Sequence, residues 1–95
     1  MKKLTENEIN AHLEKLEGWE LIDNAIETTF EFDNFKDAFS VMSRIAFEAE
    51  ALQHHPDWTN VYNKLNIRLS THDAGGVTEK DFELASIIEN ITESD

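Results

Sequence analysis

Within Glu50-Ala51-Leu52-Gln53-His54-His55-Pro56 stand two of the chain's four histidines, and His72 supplies a third a little further on. Imidazole has an unperturbed pKa of about 6.5, so it can give or take a proton near neutral pH. Three such groups in so short a chain concentrate its acid/base capacity, which points to an active site that works by general acid/base chemistry. Glu50 precedes His54 by four residues, the spacing of one helical face, and is expected to hold the His54 imidazolium. An ordinary ion pair at that spacing, worth about 0.2–0.5 kcal/mol, would leave the same trace in the sequence. Histidines in a last helical turn also interact favourably with the helix dipole, which accounts for one of them but not for both plus His72. Glu50, His54, His55 and His72 are all metal-ligand types, so a metal-dependent hydrolase is an alternative. Against it, adjacent histidines at a helix exit point in different directions, and no His-x3-His or Cys-x2-Cys pair occurs. No metal is expected.

The elements that carry these residues follow from periodicity and punctuation. Thr5-Glu6-Asn7-Glu8 has the form of a capping box. It opens a helix with Ile9, Leu13 and Leu16 on one face and Gly18 as its left-handed stop. Trp19 to Ile22 and Ala25 to Phe32 alternate, with Ile26, Thr28, Phe30 and Phe32 on one side. Asp23-Asn24 between them tolerates positive φ and reads as a hairpin turn. Asp33 or Asn34 can cap a second, longer helix with Phe35, Ala38, Phe39, Met42, Ile45, Ala46 and Ala49 as its core stripe. Pro56 forces that helix to end near Gln53 or His54, so the two histidines sit at its exit. Trp58 to Tyr62 and Leu65 to Thr71 read as strands joined at Asn63-Lys64, with His72 at the second strand's end before a pliable Asp73-Ala74-Gly75-Gly76. Thr78-Glu79-Lys80-Asp81 repeats the capping-box form and opens a last helix with Phe82, Ala85, Ile88 and Ile91 inward. Asp81 is therefore explained as a helix-start residue without any functional role. The predicted class is α+β, with order α-β-β-α-β-β-α: a four-stranded antiparallel sheet and three helices on one face, residues 1–95 forming one domain.

With Lys+Arg 8 against Asp+Glu 20 the net charge is −12, and no basic stripe offsets it, so direct nucleic-acid binding is not expected. At 40% hydrophobic residues the chain is too apolar to be disordered. Cysteine is absent, which removes disulfide and thiol chemistry. No apolar run fits a signal peptide or membrane span, and a cytoplasmic location is the expectation.

The pattern Glu-x3-His-His-Pro-x5-Tyr-x9-His-x8-Asp, carried by Glu50, His54, His55, Pro56, Tyr62, His72 and Asp81, resembles the signature of the pterin-4a-carbinolamine dehydratase family. The resemblance spans nearly the whole chain and implies the same α+β architecture. It implies dehydration of 4a-hydroxytetrahydropterin (4a-hydroxytetrahydrobiopterin) to quinonoid dihydropterin in tetrahydrobiopterin recycling, a hydro-lyase reaction in which the pterin is substrate and no cofactor is needed. By position, His54 and His72 resemble the acid/base pair and His55 the residue that mainly holds the substrate, with Glu50 orienting or charging His54. Gln53 to His55 and Ser70, Thr71, His72 and Asp73 would line the pterin, with Asp81 supporting the pocket and Trp19 near it. The family also implies a homodimer or homotetramer. Some members act instead as modules that stabilise a transcription factor dimer through a helix surface. An aromatic amino acid hydroxylase system or such a factor is thus the expected protein partner.

Overall fold

The computed structural model describes residues 1–93. Thr5 and Glu8 form the full capping box of α1 (Glu6–Leu13): Thr5 Oγ1 accepts from Glu8 N at 3.2 Å, and Glu8 Oε1 accepts from Thr5 N at 2.8 Å. The helix stops short of the stretch read for it. Lys15 N donates to His12 O and Leu16 N to Leu13 O, tighter turns that commonly finish a helix. Gly18, at φ 91, then turns the chain into the sheet.

β1 (Glu20–Ile22) and β2 (Ala25–Glu31) form the expected hairpin, and Asp23 (φ 49) and Asn24 (φ 68) both take the left-handed conformation its turn requires. Asn34 Oδ1 accepts from Asp37 N and starts α2 (Phe35–Leu52). β3 (Asp57–Val61), β4 (Lys64–Leu69), a 3-10 turn at His72–Ala74 and α3 (Glu79–Glu93) complete the order. The second hairpin turns at Tyr62-Asn63, one residue earlier than the sequence suggested. Asn60 Nδ2 donates to both Tyr62 O (3.1 Å) and Lys64 O (2.8 Å), which braces Tyr62 at φ 53.

The four strands run antiparallel in the order β1-β2-β4-β3. Ile26 faces Leu69, Thr28 faces Ile67 and Phe30 faces Leu65, so one face of the central pair is apolar. On the other face Glu27 is directly opposite Arg68. Glu27 accepts from Asn66 Nδ2 (2.9 Å) and Arg68 Nη1 (2.8 Å), and the Asn66 bond and then the guanidinium hold its carboxyl below the usual range. The helices cover the apolar face, where Ile26, Ile45, Leu65, Ile67, Leu84 and Ile88 have no exposed surface.

α2 differs from its sequence reading in which face meets the sheet. Ala38, Val41, Ile45 and Ala49 are buried, whereas Phe35, Phe39 and Ala46, read as core, are exposed. The helix is apolar over more than one face, and periodicity alone does not say which face the sheet takes. The Phe35 and Phe39 rings lie tilted to each other with centroids 5.9 Å apart and, with Phe47 at 76% exposure, make an outward aromatic stripe.

Candidate active site

The exit of α2 decides where the histidines point. Gln53 caps the helix in the left-handed conformation (φ 58, ψ 42), and His54 N donates back to Ala49 O at 3.0 Å. This closes the last turn in the manner usually served by glycine. Pro56 prevents any further helical turn. The reversal sends His54 inward, 9% exposed, and leaves His55 outward.

His54 does not meet Glu50. Its Nε2 lies 2.5 Å from Asp81 Oδ1, a partner 27 residues away at the start of α3, while Glu50 Oε1 pairs with His55 Nε2 at 2.9 Å. The i,i+4 spacing fails because His54 is already past the left-handed Gln53 and no longer on the helical face. The Glu50–His55 pair is exposed on both sides (72% and 61%) and contributes little to stability.

Asp81 is fully buried and satisfies two demands at once. Its Oδ2 accepts from Thr78 N at 2.8 Å, which is the helix-start role read from the sequence, and from Thr71 Oγ1 at 2.9 Å. Its Oδ1 is left for His54. Because the Thr71 hydroxyl donates to Asp81, the Thr78 hydroxyl at 2.7 Å must donate to Thr71, and its own oxygen accepts from Lys80 N at 3.3 Å. With both carboxylate oxygens accepting, the network assigns the His54 proton to Nε2 and leaves Nδ1 as the ring nitrogen that Asp81 does not engage.

His54, His55 and His72 line one cavity of about 240 Å³, together with Gln53, Ser70, Thr71 and Asp73. An adjoining lobe of about 260 Å³ shares Gln53, His54, Thr71 and Asp73 and adds Met1, Ala74 and Lys80. Thr78 and Lys80 were not foreseen as site residues; each carried only a helix-start signal. A wider cleft of about 600 Å³, bordered by Phe30, Glu31, Asp37 and Ser40, bears no histidine and so lacks this chemistry. Trp19, expected near the pterin, is 5% exposed in the core, with Nε1–H donating to Glu89 Oε2 at 2.8 Å, and borders neither lobe. Tyr62 stands exposed on the β3–β4 turn. Among the described residues no group of three His, Asp or Glu side chains is arranged to hold a metal ion. No helix among them is long and apolar enough to cross a membrane.

The loop that presents His72 is tied on several sides. Thr71 and Gly76 form a β-bridge, with Thr71 N donating to Gly76 O at 2.8 Å. Asn24 Nδ2 donates to Gly75 O at 2.6 Å, and Ser70 Oγ donates to Asn24 O at 3.1 Å. Leu4 N donates to Val77 O at 2.8 Å. A Cβ at Gly76 would stand 2.9 Å from Asn24 Oδ1, so the turn of the first hairpin packs directly on this loop.

Comparison with known proteins identifies the family and the fold. A protein of Christiangramia forsetii assigned by name to the pterin-4-alpha-carbinolamine dehydratases is 63% identical over 94 residues, covering 99% of this chain and 97% of that one. A Sulfurisphaera tokodaii protein assigned the same name is 47% identical over 91 residues, covering 96% and 98%. The crystal structure of a transcriptional coactivator/pterin dehydratase from Brucella melitensis superposes with a TM-score of 0.92 at 42% identity, covering 95% of this chain and 98% of that one. The family model described as pterin 4 alpha carbinolamine dehydratase matches residues 2–91, and the chain belongs to that family.

Proposed function

We propose that this protein removes water from 4a-hydroxytetrahydropterin to give quinonoid dihydropterin, the carbinolamine being the product of an aromatic amino acid hydroxylase. The observation that carries the reading is the convergence of His54, His55 and His72 on one cavity, with His54 backed by the buried Asp81. In the reaction the C4a–O bond breaks as the leaving hydroxyl gains a proton, the N5–H bond breaks, and the C4a=N5 double bond forms as water departs. His54 and His72 are assigned these two proton transfers and His55 the holding of the pterin. Asp81 fixes the ring plane and tautomer of His54, a positioning role. General acid/base catalysis supplies typically 10²–10⁴-fold, which suits a carbinolamine that also loses water unaided.

The test is the rate at which the 4a-carbinolamine absorbance disappears when the purified protein is added to a hydroxylase assay. Acceleration that survives exhaustive chelation is expected. No acceleration refutes the reading, and activity lost to chelator and restored by one metal would favour the hydrolase alternative.

The exposed Phe35, Phe39 and Phe47 on α2 favour a second reading beside the first. We assign this stripe to a second copy of the chain, because a small domain with an open sheet edge and an apolar helix face is stabilised by covering them. A transcription factor held on the same face, in keeping with the description of the Brucella protein, is the other occupant. Recovery of such a regulator by a variant without a working pocket would support it.

A further inference from the structure

Lys80 has no role in the proton transfers, yet it lines the second lobe beside His54 and Thr71. It is half-buried, and among the described residues no carboxylate pairs with its ammonium. With 20 acidic residues against 8 basic, a lysine facing a cavity without a carboxylate partner stands out against the surrounding charge. An ammonium offers three donors and no acceptor, so what it can hold is an anion or a lone-pair oxygen. The shape of the cavity points the same way. Each lobe falls below the roughly 300 Å³ at which small-molecule pockets begin, while the two joined lobes come within that range. A ligand that fills the site therefore spans both, with His54 and Thr71 at the junction. Asp73 also borders both lobes and repels anions, so a negative group is tolerated only on the Lys80 side.

We propose that Lys80 is a specificity-determining residue: with the pterin ring in the histidine lobe, its ammonium holds an anionic group, a carboxylate or a phosphate, carried on the pterin's side chain in the second lobe. The proposal rests on the dehydratase reading above and extends it to the class of side chain accepted. It concerns affinity and leaves the bond changes of the dehydration as they are. The protein's overall negative charge works against such a ligand, and one correctly placed cation is what offsets it locally.

The experiment measures equilibrium binding of three stable, fluorescent pterins to the full chain at low and high salt: 6-methylpterin, 6-carboxypterin and 6-hydroxymethylpterin phosphate. The wild type should bind at least one anionic pterin more tightly than 6-methylpterin by about ten-fold or more, the lower end of what a charge-assisted hydrogen bond contributes, and salt should erode the difference. The two anionic probes distinguish carboxylate from phosphate. Lys80→Met should abolish the preference and Lys80→Arg should retain much of it. Lys15→Met, which removes a lysine from a different groove, should leave it in place and so exclude a mere net-charge effect. Equal affinity for all three pterins, or a preference that survives Lys80→Met, overturns the proposal while leaving the dehydratase reading intact. Absence of both pterin binding and carbinolamine turnover overturns the two together.

Discussion

Replacing Asp81 by asparagine separates the two duties that one buried carboxylate performs. The amide oxygen can still accept from Thr78 N and Thr71 Oγ1, so the start of α3 keeps its cap, but the amide nitrogen then faces His54 Nε2. A donor in place of an acceptor forces the His54 proton onto Nδ1, the ring nitrogen that Asp81 does not engage, and so reverses the tautomer on which the proton transfer proposed for His54 depends. Exchanging a hydrogen bond to a charged group for a neutral one costs about 1 kcal/mol, or roughly 4–8 °C in melting temperature for a domain of this size. The kcat on the 4a-carbinolamine should fall by about 10²-fold or more, the usual contribution of one acid/base group. Asp81→Ala behaves differently. It strands the Thr78 amide and the His54 ring N–H in the interior, at about 1–3 kcal/mol each, while the Thr71 hydroxyl keeps Thr78 Oγ1. That is a large share of the 5–15 kcal/mol that holds a small domain together, so alanine reports on stability and asparagine on catalysis. Stopped-flow turnover, thermal melting and ¹⁵N NMR of the His54 ring check all three quantities. Wild-type kcat in Asp81→Asn with the His54 proton moved to Nδ1 would refute the assignment of His54 as a proton-transfer group.

His54→Ala and His72→Ala should each lower kcat by roughly 10-fold or more with smaller changes in KM, whereas His55→Ala should mainly raise KM; steady-state kinetics of the three variants decides. Sedimentation at tens of micromolar should show a dimer or larger species, and Phe39→Glu with Phe47→Glu should give a monomer that keeps the fold; a wild-type monomer would remove the role given to the α2 stripe. Glu27 is held below the usual carboxylate range by Asn66 and Arg68, so its contribution to stability is complete above the unfolded-state value of about 4.3 and is lost as pH falls through the lower folded value. Denaturant titrations of Glu27→Gln should accordingly show a shallower loss of stability on the acid side than the wild type.

Much of the architecture was legible because local chemistry and global fold agree at the punctuating residues. Asp23-Asn24 tolerates positive φ and adopts it, Pro56 ends α2 where its ring requires, and the Thr5–Glu8 capping box forms in full. What escaped the sequence depends on long-range geometry. The partner of His54 lies 27 residues away, and no spacing rule reaches across a left-handed residue such as Gln53. The i,i+4 rule that joined Glu50 to His54 holds only inside the helix. Whether Val41 or Phe39 faces the sheet is likewise set by how α2 docks, because both lie on apolar stripes. Asp81 shows how two sound readings of one residue can be posed as rivals although a carboxylate has two oxygens to give.

The loop carrying His72 has a consequence for the thermodynamics of ligand capture. Two adjacent glycines would leave residues 72–76 many accessible shapes, and a free loop would have to lose them each time a ligand arrived. The β-bridge from Thr71 to Gly76, the Asn24 amide on Gly75 and the Leu4–Val77 bond remove that freedom when the chain folds. The ordering penalty is thereby shifted from the binding equilibrium to the folding equilibrium. Asn24, remote in sequence from every histidine of the site, should therefore act on affinity through entropy: calorimetry of Asn24→Ala should find a less favourable binding entropy with a nearly unchanged enthalpy.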